Sequence, residues 1–309
     1  MSQKIAIDAG HGYVKGLSST DQRLLFPSLI CPMPPSVDLG DLGKSESILI
    51  DGRPYLVGAS ATGHATPFWS REKSSDLDTL RLILVAAAQL GSVGPIQLAT
   101  GLPLSWFGSQ RKAFRDALVG YGGTVQLPRR PVRHLWFESV KVLPQGLAAA
   151  APVLVTSDFE AGLYLVVDVG YRTTDFIVVT KNADGEMDYA PEAAGSLEIG
   201  MHAVSQSVAQ NINDQYQVSY SVSEVESVPV VIVRGQKIDV SQRFHESRTA
   251  IGRHLAQELA ATLGPAIDKL LGIVAVGGGS GILSSVLPGV IVASEPQWAN
   301  VMGYQMLWS

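Results

Sequence analysis

The chain has 309 residues, 46% hydrophobic and 17% charged, enough for two domains with separate cores, and a charged share below the roughly 25% of ordinary soluble proteins points to extra buried surface, including surface between subunits. A net charge of −5 argues against a direct grip on a nucleic-acid backbone, which needs clustered Lys and Arg. The single cysteine, Cys31, excludes an intrachain disulfide and a cysteine zinc site, and no apolar run approaches the ~20 residues of a membrane span.

The N-terminus enters a strand with no charged-then-apolar leader, so a soluble cytoplasmic protein is expected. Residues 5–15 read Ile-Ala-Ile-Asp-Ala-Gly-His-Gly-Tyr-Val-Lys. An apolar strand ends in Asp8, a tight turn holds Gly10, His11, Gly12 and Tyr13, and a second strand carries Lys15. Strands are predicted at 5–9, 14–18 and 23–27. A Pro-, Gly- and Asp-rich loop spans 32–43, and strands 47–50 and 53–57 flank Asp51-Gly52, a strong hairpin turn. Gly43-Lys44-Ser45 is not a P-loop: Asp38 stands where that motif needs glycine, and no strand precedes it. A helix is predicted over 76–90, capped by Ser75 or Asp76 and ended by Gly91. A strand over 96–100 runs into Gly101-Leu102-Pro103, and a second helix covers about 110–119. Strand 134–143 leads to Pro144-Gln145-Gly146 and a small-residue helix at 147–151.

Residues 163–180 repeat the N-terminal pattern. Their first strand ends in Asp168, the turn holds Gly170, Tyr171, Arg172 and Thr173, and the return strand begins near Thr174 and Phe176. Two short apolar runs around such a turn make a β-hairpin and not a strand feeding a helix. Gly170 lets the backbone approach a ligand closely, and successive turn amides then form an anion-binding nest, to which the Thr173 and Thr174 hydroxyls add donors. Asp8 and Asp168, each at the mouth of its turn, are placed to share one hydrated Mg²⁺ on a polyphosphate. Lys15 is the counter-charge. Two such hairpins half a chain apart imply a duplicated domain with its halves facing each other.

Beyond the repeat, 182–185 is a turn and 195–200 precedes a helix over about 201–212. Strands 230–233 and 237–240 flank Arg234-Gly235-Gln236, and a long helix or helix pair over 245–271 is interrupted near Gly264-Pro265. His254 has Glu258 at i+4, not a second ligand, and reads as a surface residue. Strand 273–276 ends in Gly277-Gly278-Gly279-Ser280, where glycines let backbone lie flat against a purine and ribose. This is not a dinucleotide fingerprint, because its third spaced glycine is absent. Residues 295–304 form a returning connector, with Asn300 and Gly303 as packing residues. The apolar end, 304–309, lacks Lys and Arg for anionic lipid and is expected to dock on its own domain or on a neighbouring subunit.

Five of these segments, in order (5–15, 143–150, 166–175, 273–280 and 295–304), together resemble the signature of the actin/Hsp70/sugar-kinase ATPase superfamily. The phrase Ala99-Thr100-Gly101-Leu102-Pro103-Leu104 is similar to one in plasmid-partitioning actins of the ParM/StbA type. The resemblance implies an α/β, actin-like (ribonuclease H-like) duplicated two-domain ATPase with ATP or ADP and Mg²⁺ in the interdomain cleft. Domain I would cover 1–160, with a small insert at about 30–75, completed by 290–309. Domain II would cover 161–289, with a small subdomain at about 195–260. It further implies that Gln145 orients the attacking water, that Gly200 approaches the nucleotide, and that the base is adenine. The function it implies is a filament that assembles with Mg-ATP, hydrolyses it and moves plasmid DNA through a centromere-binding adaptor, with no direct contact to nucleic acid or membrane. A small-molecule kinase of the same fold stays open, with Asp175 or Glu138 as its base. So does a cell-shape or cell-division actin, although no basic amphipathic helix for membrane is evident. A chaperone is disfavoured, since no peptide-binding domain follows the ATPase segments.

Overall fold

A computed structural model describes residues 2–35, 47–65, 72–155, 159–226 and 228–308; the P-loop-like stretch around Gly43 and part of the expected insert lie outside them. The chain divides into two compact units, residues 1–148 with 300–309 and residues 149–299.

In the first unit, β1 (Gln3–Ala9) pairs antiparallel with β2 (Tyr13–Ser18) and parallel with β7 (Gly94–Leu102). β3 (Arg23–Pro27) lies outside β2, and β9 (Arg133–Pro144) runs parallel to β7 on its far side. Beyond β9 the sheet continues through β8 (Gly122–Gln126), β5 (Ile48–Ile50), β6 (Arg53–Val57) and β4 (Ile30–Pro32), giving nine strands. The 30–57 strands therefore extend the main sheet and do not close one of their own. Asp51 and Gly52 both take positive φ, the conformation a two-residue hairpin turn demands.

The second unit repeats that core. β10 (Gly162–Val169) pairs antiparallel with β11 (Thr174–Lys181) and parallel with β15 (Gly272–Val276), with β12 (Met187–Leu197) and β16 (Val290–Val292) outside. The order β12-β11-β10-β15-β16 matches β3-β2-β1-β7-β9 in both sequence and direction. The duplication read from two Asp-x-Gly hairpins is therefore a duplication of five-stranded sheets. β10 and β11 are buried along nearly their whole length, which explains unbroken Val and Ile in place of alternation.

Helices cover these sheets. α1 (Leu77–Gln89) is capped by Asp76, which accepts from the Asp78 amide, and buries eight residues from Leu80 to Ala88. A helix apolar on every side belongs in a core. Each large aliphatic side chain it buries is worth about 1.5–3 kcal/mol. α2 (Leu104–Leu118) starts just after its Pro103 N-cap, six residues before the expected position; Gly108 reads locally as a breaker, yet it is carried within the helix. α3 (Leu147–Leu154) contains Pro152, whose missing N–H leaves the Ala148 carbonyl without its helical donor. α8 (Ala299–Met306) brings Gly303 onto that carbonyl, and any Cβ there would collide with it. The Tyr304 ring, fully buried, stacks into the space left by Gly101. In the second unit, α4 (Met201–Tyr216), α5 (Val222–Val225), the β13–β14 hairpin (Val230–Val233 and Gln236–Asp239) and the start of α6 (Ser241–Leu263) share a hydrophobic cluster. No helix of the described residues is long and apolar enough to cross a membrane.

Candidate functional site

The first hairpin sets its charges by register. Asp8 lies directly opposite Lys15 across β1 and β2, so both side chains leave the sheet on one face. Lys15 Nζ donates to Asp8 Oδ2 at 2.9 Å, and both groups are largely buried. The other carboxylate oxygen, Oδ1, accepts from Gln145 Nε2 at 2.8 Å. Gln145 sits at the β9–α3 junction with its own amide donating to the Leu102 carbonyl at 2.8 Å. Its side chain therefore does not cap α3. Asp8 holds its Nε2, leaving Oε1 as the acceptor that can orient a water. The neighbouring Gly146 amide donates to Asn300 Oδ1 at 3.0 Å, which fixes the junction.

The turn between Asp8 and Lys15 is clamped from behind. Lys73 Nζ donates to the Ala9 carbonyl, Ser28 Oγ to the Gly10 carbonyl at 2.6 Å, and the Ser28 amide to the Gly12 carbonyl at 2.9 Å. Across a trans peptide the C=O and the following N–H point in opposite directions. The Gly10 and His11 amides therefore face away from these clamps, as an anion nest requires. The His11 ring meets Trp106 edge-on, with centroids 5.7 Å apart. Neither Lys73 nor Ser28 is visible as a site residue in the sequence. Burial pulls the Lys73 ammonium below the usual lysine range; Asp8 and Asp76 pull it back up, and Lys15 opposes them.

The second hairpin reaches the same outcome with backbone. The Met201 amide donates to the Gly170 carbonyl at 3.1 Å and the His202 amide to the Tyr171 carbonyl at 2.8 Å, while the Gly170 amide closes the turn on Thr173 at 2.9 Å. The N-terminus of α4, with its partial positive charge, thus sits under the turn and directs the Tyr171 and Arg172 amides outward. Gly200 is what lets α4 come this close: a Cβ there would lie 2.6 Å from the Tyr171 carbonyl oxygen. This packing by itself demands glycine at position 200. Thr174 is also reassigned, because its hydroxyl is buried and donates to the Ile199 carbonyl at 2.7 Å. Tyr171 Oη donates to Glu226 Oε2 at 3.1 Å, its ring stands edge-on to His202, and Arg172 lies near the same ring. Burial pushes the Glu226 carboxyl up, with Tyr171 and Arg172 drawing it back. Burial and then Arg172 pull His202 down.

Asp168 is buried and faces Asp175 across the hairpin, the position Lys15 holds in the first. Asp175 accepts from Ser196 Oγ. The glycine run packs on this strand end. A Cβ at Gly277 would strike Asp168 and the Val169 carbonyl, and one at Gly279 would lie 2.6 Å from Val169. Only Gly278 has an open face, with Gln297 at 3.8 Å as its nearest neighbour. Two of the three expected adenosine glycines are accounted for by protein contact, and Ser280 is buried beside them.

The described residues hold no group of three or more His, Cys, Asp or Glu suited to a metal. Magnesium on a nucleotide takes one or two carboxylates along with phosphates and water. Asp8 in the first unit and Asp168 in the second are each a buried carboxylate of the type such an ion takes.

Residues 6–147 match the family model for the N-terminal domain of actin like proteins, and residues 166–288 match that for the C-terminal part of archaeal MreB-like actin homologues. The chain belongs to the actin-like superfamily. It is 24% identical to archaeal actin homologs of Thermoplasma acidophilum and Thermoplasma volcanium, over 97% of each chain. Among solved structures it is similar to a 15-stranded ParM filament from Clostridium botulinum (TM-score 0.85, 21% identity, 99% of this chain and 98% of that one). It is also similar to an archaeal actin homolog in complex with ADP (TM-score 0.80, 22% identity, 99% of both). The two units are thus the actin-like two-domain α/β fold.

Proposed function

We propose that this protein is a filament-forming ATPase that assembles with Mg-ATP and hydrolyses it. The observation that carries the reading is the pair of Asp-x-Gly turns with every carbonyl clamp behind and the amides in front. Each turn offers those amides to nucleotide phosphate, with Lys15 in the first unit and Arg172 in the second as counter-charges and Gly278 as the adenosine contact. Bound Mg²⁺, held by Asp8 and Asp168, would neutralise charge on the polyphosphate. Gln145, its amide fixed by Asp8, presents Oε1 to the attacking water and so positions it without serving as a strong base. Adenine, and a cytoplasmic location, follow from the family resemblance.

The filament is supported by the likeness to a ParM filament, and the movement of plasmid DNA through a centromere-binding adaptor by the ParM-like Gly101-Leu102-Pro103 segment. That segment also has a structural use, since Gly101 admits Tyr304. A general cytoskeletal role is the second reading, supported by the archaeal actin homologs. A kinase has less support. Asp175, one of its two candidate bases, is buried against Ser196, and Glu138 is exposed on β9.

Sedimentation with and without Mg-ATP tests the proposal. A nucleotide-dependent pellet with phosphate release is expected; a monomer that phosphorylates a small acceptor would overturn it. A small basic DNA-binding protein encoded alongside, pelleting with the polymer and a DNA repeat array, separates DNA transport from a general cytoskeleton.

A further inference from the structure

The first unit contains a cation that the scheme above leaves without a task. Lys73 precedes α1 in a polar stretch, yet it is only 3% exposed. Burying an ammonium is unfavourable by several kcal/mol unless it is paired and hydrogen-bonded. Here the hydrogen bond goes to the Ala9 carbonyl, and the nearby Asp8 and Asp76 charges favour the ammonium. The cavity beside it, about 40 Å³, is lined by Gly10, Ser28, Asp76, Thr79 and Leu82 among others. With its ammonium buried on the Ala9 carbonyl, Lys73 acts on the turn through the peptide it holds.

We propose that Lys73 is the positioning residue of the first phosphate turn. By fixing the Ala9 carbonyl it aims the Gly10 amide at the phosphates, and Ser28 does the same for His11 through the Gly10 carbonyl. The pair favours phosphate-bearing ligands over the bare nucleoside. This rests on the reading of the hairpins as phosphate turns.

Calorimetric titration of the wild-type chain and Lys73→Met with Mg-ADP and with adenosine tests it. Methionine keeps the length of the stem and removes the charge and the donor. Mg-ADP affinity is expected to fall about tenfold, the equivalent of one charge-assisted hydrogen bond, with adenosine affinity unchanged. Equal Mg-ADP affinity in both chains, or a parallel loss for both ligands, would overturn the proposal, the latter marking Lys73 as merely structural. Failure of the wild-type chain to bind Mg-ADP would instead remove the phosphate-turn reading itself, and this inference with it. If Lys73→Met does not fold, Ser28→Ala carries the same test: weaker Mg-ADP with unchanged adenosine supports the pair, and unchanged Mg-ADP refutes it.

Discussion

The two Asp-x-Gly hairpins share a sequence pattern, a register and a place in matching sheets, but their supports differ in kind. In the first, the turn is held by the Lys73 and Ser28 side chains together with the Ser28 amide, and Asp8 is neutralised by Lys15. In the second, the turn is held by the first amides of α4, and Asp168 faces another carboxylate, Asp175. Backbone support survives substitution of any side chain except where a side chain blocks the approach. The first turn is therefore open to being retuned by single mutations, and the second is vulnerable at Gly200.

The comparison can be broken most severely at Asp8. Asp8→Ala removes the 2.9 Å ion pair with Lys15 and frees Gln145. A loss of roughly 3–5 kcal/mol is expected for breaking a buried ion pair, together with loss of phosphate release; denaturant melts and a turnover assay measure both. Gly200→Ala should force α4 off the second turn and cost about 1–3 kcal/mol, as overpacking does, with weaker nucleotide binding. The equivalent change at Ser28 in the first unit should cost only about 1 kcal/mol, one hydrogen bond. Similar losses at the two sites would erase the contrast. Gln145→Ala should slow hydrolysis about 10–100-fold, some 1.4–2.7 kcal/mol in the barrier, while assembly persists; unchanged turnover would remove its water-positioning role. Asp168→Ala should abolish turnover by removing a carboxylate that would hold the metal, and a phosphate-release assay checks it.

The smallest effect is in pH. His202 has a folded pKa below its ordinary value of about 6.5, so the stability it contributes is full above that value and is lost as pH falls through the folded pKa. Glu226 is raised, so its contribution is full below the ordinary carboxylate range and is lost as pH rises through its folded pKa. His202→Gln should flatten the acid-side fall of the melting temperature and leave the first turn untouched; an unchanged profile would show that His202 does not titrate with folding.

The hairpins, their aspartates and most strands were legible because they depend on local pattern: Val-rich runs, Asp-Gly turns and glycine at the bend. Lys73 was not, because Ser70-Arg71-Glu72-Lys73-Ser74-Ser75 is a polar run whose lysine is buried only by tertiary packing. The start of α2 was missed because Gly108 breaks a helix locally but is tolerated within a packed one. Gly200, Gly277 and Gly279 were read as facing a ligand, whereas the neighbours that demand glycine are protein backbone and side chains far away in sequence. A glycine signals close approach without saying by what. Thr174 misled for a similar reason, since a hydroxyl in a turn can as readily serve Ile199 as a phosphate.

Tyr304 has a consequence for biosynthesis. Its ring is among the largest fully buried side chains, and it fills a space at Gly101 in a unit otherwise built from the first 148 residues. On the ribosome, the space beside Gly101 stays unfilled until residue 304 has left the exit tunnel. The intervening 149–299 segment, by contrast, is continuous and has all its strands to hand earlier. The order of synthesis and the order of completion are therefore reversed, and the unit made first is the last to become whole.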